Sequence, residues 1–111
     1  MPAPATPLHL EVDRIELLNG LRAIQSAERG ERFQAKVWFD GERVRIDFGE
    51  VQVSAGATGS WVGHVRVRAA LFKIVRPSER DDQQTITLRL LGDKFMFGDV
   101  GVPCTWRGGR P

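Results

Sequence analysis

Apolar residues fall at alternate positions in three successive stretches: Ala35, Val37 and Phe39, then Val44 and Ile46, then Val51, Val53 and Ala55. The same spacing returns 51 positions later, at Ile86, Leu88 and Leu90, then Phe95 and Phe97, then Val102, Cys104 and Trp106. Alternation with a period of two marks a half-buried strand. An echo at constant offset across three strands points to an internal duplication. A turn dipeptide separates the first two runs in each copy, Asp40-Gly41 in one and Gly92-Asp93 in the other, and both suit tight hairpins.

The remaining segments fit the same plan. Leu8, Leu10 and Val12 alternate with His9 and Glu11, which predicts a first short strand. Asp13 is placed to cap a helix from about Arg14 to Ala27, with Leu17, Leu18, Leu21 and Ile24 on one face. Gly20 interrupts that helix at a cost of about 1 kcal/mol relative to Ala. After a polar exit loop come strands at Phe33–Phe39, Arg43–Phe48 and Val51–Ala55, then a glycine-rich connection from Gly56 to Gly63. The second half restarts with a strand at His64–Val67 and a helix from Arg68 to Arg76, with Leu71 and Ile74 buried and Pro77 as its stop. Strands at Thr85–Leu91, Lys94–Phe97 and Gly101–Trp106 follow. The expected fold class is therefore α+β: duplicated β-α-β-β-β units, half-repeats at about 8–55 and 64–106, with two helices on one face of antiparallel sheet. Residues 1–7 read as a flexible N-terminal arm and 107–111 as a flexible tail, around a single domain at 8–106.

Composition changes this picture in two places. At 111 residues the chain can fill one core and not two. Its net charge is only +2, but Lys36, Lys73 and Lys94 are the only lysines among 16 basic residues. The basic side chains are thus overwhelmingly arginine, which suits phosphate and carboxylate partners. No apolar run is long enough for a membrane span and the first residues lack signal-peptide character, so a cytoplasmic location is the default expectation. A single cysteine, Cys104, excludes an intramolecular disulfide.

The stretch Leu8–Leu21 followed by the Val37–Ile46 hairpin resembles the opening of a DNA sliding-clamp domain. Val65–Val75 followed by Thr85–Leu90, Lys94–Phe97 and Val102–Cys104 does so again. The comparison is with the bacterial clamp, the β subunit of the replicative polymerase, and it spans Leu8 to Trp106. The resemblance implies a non-catalytic domain that self-associates into a homo-oligomeric ring, with helices facing duplex DNA and sheets on the rim. Bacterial clamp chains carry three such domains and this chain carries one, so a ring needs about six copies.

Candidate contacts follow from the residues. Lys73, Arg76 and Arg80 share a spacing opposite Leu71 and Ile74, and Arg68 extends the cluster. Arg22 and Arg29 lie opposite Leu21 and Ile24 on the first helix. Basic groups on one surface hold phosphates without reading sequence, although a solvated helix stripe has the same composition. Trp38 falls out of phase with Val37 and Phe39, on the outer side of its strand. Trp38 and Trp61 are the candidate anchors for a protein interface, the alternative in which the fold serves protein partners and not DNA. His9 and His64 with one distant cysteine do not form a metal set, and Cys104 takes a core position. No catalytic constellation and no cofactor motif is present, so neither an enzyme nor a cofactor is expected.

Overall fold

A computed structural model describes residues 7–25, 33–49, 51–74 and 84–109, with the side chains of 23–25 and 73–74 outside that description. Strands dominate it. In chain order they are β1 His9–Asp13, β2 Gln34–Phe39, β3 Arg43–Asp47, β4 Gln52–Ser60, β5 His64–Arg68, β6 Thr85–Leu91, β7 Lys94–Phe97, β8 Val100–Pro103 and β9 Thr105–Arg107. One helix of three turns, α1 Arg14–Gln25, follows β1, and a single turn, α2 Leu71–Ile74, follows β5.

The expected α+β layer of two like helices on one sheet face does not form. The strands make one nine-stranded antiparallel sheet, in the order β8-β7-β6-β1-β4-β3-β2-β5-β9. Arg68 belongs to β5, not to a helix start, and among the described residues the expected second helix is the single turn Leu71–Ile74. The cause is local. Val65 and Val67 pair with Val37 and Ala35 across β2, and the ladder continues to Arg68 opposite Gln34. Phe72, which the expected helix face left out, then drives inward and is 4% exposed.

The two ends of this sheet are consecutive in the chain. Val100–Pro103 pairs with β7, and after Cys104 the chain turns so that Thr105–Arg107 pairs with β5. β4 makes the same kind of corner. Gln52–Gly56 pairs with β3, while Ala57–Ser60 pairs with β1. Strands that change partners at such corners let a sheet fold back on its own core. The segment from Gly56 to Ser60, expected as part of a connection, thus belongs to one long bent strand whose second arm is Ala57–Ser60. The edges left at β8 and β9 are four and three residues long, too short to offer much strand pairing to a second copy.

Inward residues of both arms fill one core: Leu10, Val12, Leu88 and Phe95 on one side, Val37, Val44, Ile46 and Val65 on the other. Phe72 on α2 joins them. Its ring lies 5.4 Å from Phe48, 6.3 Å from Phe95 and 6.5 Å from Phe97, mostly edge-on. Helix α1 is capped by Asp13, whose carboxylate accepts from the Glu16 amide at 3.0 Å. It lies so close to β4 that a methyl group at Gly20 would sit 2.4 Å from Val53 Cγ1. Leu17 and Leu21 are buried beneath it. Among the described residues no helix is long and apolar enough to cross a membrane.

Candidate nucleic-acid interface

Burial of Ala35, Val37, Val44, Ile46, Val65 and Val67 forces the alternate residues of β2, β3 and β5 onto the opposite, outer face. Those residues are Gln34, Lys36 and Trp38 on β2, Arg43, Arg45 and Asp47 on β3, and His64, Arg66 and Arg68 on β5. β9 adds Thr105 and Arg107, which pair with Arg66 and His64. The register brings them into rows. Lys36 lies between Asp47 and Arg66, and Trp38 lies between Arg45 and His64.

Two of the arginines are committed within the fold. Arg45 Nε donates to Asp40 Oδ2 at 2.6 Å. The Arg43 guanidinium pairs with Glu16 on α1, and its Nε donates to Ser54 Oγ at 3.2 Å. The other oxygen of Glu16 accepts from the Gly56 amide at 3.3 Å, which ties α1 to the bend of β4. Asp40 is equally engaged: its carboxylate accepts from the Arg43 amide at 2.7 Å and the Glu42 amide at 2.9 Å. These backbone donors, with the Arg45 side chain, hold its pKa down at about 2. By contrast, Lys36, Arg66, Arg68 and Arg107 have no ion pair among the described residues, and the three arginines are exposed.

The opposite arm of the sheet carries a different surface. Its outward residues include Glu11 and Asp13 on β1, Thr85, Thr87 and Arg89 on β6, and Lys94 and Met96 on β7. Glu11 accepts from Thr87 Oγ1 at 2.8 Å and Thr85 Oγ1 at 3.1 Å, and lies 3.3 Å from His9 Nε2. Acids and bases balance there. The positive charge is one-sided.

Of the residues expected to face DNA from the helices, Arg22 is exposed on α1 and Arg68 is exposed on the sheet. Lys73 lies on α2 with its side chain outside the described residues, as are Arg29, Arg76 and Arg80 altogether. A shared helix surface therefore does not bring Arg22 and Arg68 together. Trp38 is half-buried on the outer face, as its phase in β2 implies. Trp61 is 6% exposed, its ring 6.2 Å from Phe95, so its indole presents no surface to a partner. Trp61 directly follows β4, where the chain leaves the sheet and its ring packs into the core. Lys36, Arg66 and Arg107 do not stand out as a group in the sequence because they belong to different strands, and only the β9–β5–β2 register unites them.

His64 is 3% exposed, and its Nδ1 lies 2.6 Å from the Gly109 carbonyl oxygen, so the C-terminal segment lies over it. Burial and the nearby Asp93 charge push the Cys104 thiol up to about 11, as suits a residue at a corner and not a nucleophile. Among the described residues no three His, Cys, Asp or Glu side chains gather as a metal-binding group. Comparison with known protein families, with characterised proteins and with solved structures gives no match.

Proposed function

We propose that the chain is a non-catalytic nucleic-acid-binding domain that holds the phosphate backbone on the outer face of β3, β2, β5 and β9. The observation that carries this reading is the set Lys36, Arg66, Arg68 and Arg107, on one face and without ion pairs among the described residues. Unpaired cations side by side repel one another, and a polyanion relieves that repulsion while releasing its own counterions. Arg43 and Arg45 are held in fixed orientations at the border of the patch. Contacts of this kind position a nucleic acid and carry no sequence preference. DNA binding, expected from the helices, is thereby assigned to the sheet.

The test is fluorescence anisotropy with labelled oligonucleotides over a range of salt concentrations, using wild type and Arg66→Glu/Arg68→Glu. Four phosphate contacts give a log–log salt slope of roughly −3 on a single strand. The double variant is expected to bind at least tenfold more weakly with a shallower slope. Equal affinity and slope for the two proteins would clear this face of the role. Retention of an acidic protein with no oligonucleotide bound would move the domain to the protein-interaction class.

A further inference from the structure

We infer that the nucleic acid taken by this face is single-stranded, with an unpaired base stacked on Trp38; this rests on the reading of the face as a phosphate-binding surface. Phosphate attraction alone needs cations and no aromatic ring. Yet the middle strand of the patch presents a tryptophan outward, with Lys36 two residues before it on the same face. Its cross-strand neighbours are Arg45 and His64. Both are pinned, Arg45 by Asp40 and His64 by the Gly109 carbonyl, so the surroundings of the indole are set before any ligand arrives. His64 Nε2 is also buried without a hydrogen-bond partner among the described residues, an unmet polar atom beside Trp38 in the register.

A duplex keeps its base faces inside its own stack, where a side chain on a sheet cannot reach them. A single strand offers a π-face at every nucleotide, and a basic groove with an aromatic platform is how proteins hold such strands without reading sequence. Arg107 beyond His64 in the Trp38 row, with Lys36 and Arg66 paired in the next row, then bracket the stacked base with phosphate-binding cations.

The experiment measures binding of short oligo(dT), oligo(U) and a duplex of equal length to wild type, Trp38→Ala and Trp38→Phe, with tryptophan emission recorded for wild type. Wild type is expected to prefer the single strands, with its emission quenched on binding. Trp38→Ala is expected to lose roughly ten- to a hundredfold on them with an unchanged salt slope, because the indole carries no charge. Trp38→Phe, which keeps a ring and the local packing, is expected to retain most of the affinity. Duplex bound as tightly as single strand, with Trp38→Ala unimpaired, would overturn the stacking assignment and leave the phosphate-binding face standing. Absence of binding to all three by wild type would remove both.

Discussion

At the scale of single residues, two glycines with similar backbone torsions do different work. Gly41 has φ of 102° in the β2–β3 turn and nothing within 4 Å of where a Cβ would stand. Gly59 has φ of 139°, and a Cβ there would lie 2.2 Å from the His9 carbonyl oxygen. The first position asks only for torsional freedom, worth about 1 kcal/mol. The second asks for that freedom and for an absent side chain against a backbone atom that cannot move without breaking the β1–β4 pairing. Urea denaturation should therefore separate the variants, with Gly59→Ala losing about 3 kcal/mol or more and Gly41→Ala about 1 kcal/mol. Equal losses would show that β4 does not approach β1 so closely. In the sequence both glycines look alike, as turn or linker residues. Gly20 is a second case: its intrinsic helix cost is legible, but its role as the point where α1 meets Val53 needs the packing.

Among the elements, the strand alternation and the Asp13 cap were readable because both depend on neighbours two or three residues away. The β2–β3 and β6–β7 hairpins follow from the same local chemistry. The bend of β4 was not readable, since its second arm, Ala57–Ser60, has almost no large apolar residue and pairs with β1 far away in sequence. The second helix failed for a related reason. The spacing of Leu71 and Ile74 suggests a helix starting at Arg68, whereas the β5–β2 ladder claims Arg68, and the described turn Leu71–Ile74 inserts Phe72 into the core. That ring meets Phe48 from one arm of the sheet and Phe95 and Phe97 from the other. Phe72→Ala should accordingly cost about 3–5 kcal/mol by thermal or chemical unfolding. A loss near 1 kcal/mol would mean that α2 merely covers the core and does not join its two sides.

For the whole molecule, the consequence of the sheet bending back on its own core is a division of surfaces. One arm turns a balanced set of acids, threonines and bases outward, and the other turns out Lys36, Arg66, Arg68 and Arg107 around Trp38. A net charge of +2 hides this, because composition averages over faces. The sequence places the expected phosphate contacts along helices, where spacing alone defines a face. On a sheet a face is assembled from several strands, and only the register reveals it. The most direct measurement is amide chemical-shift mapping of the labelled protein titrated with unlabelled oligo(dT). The account predicts that the largest changes fall on β2, β5 and β9, centred on Trp38, Arg66 and Arg107. Changes confined to α1 around Arg22, or to the outer residues of β1 and β6, would contradict it.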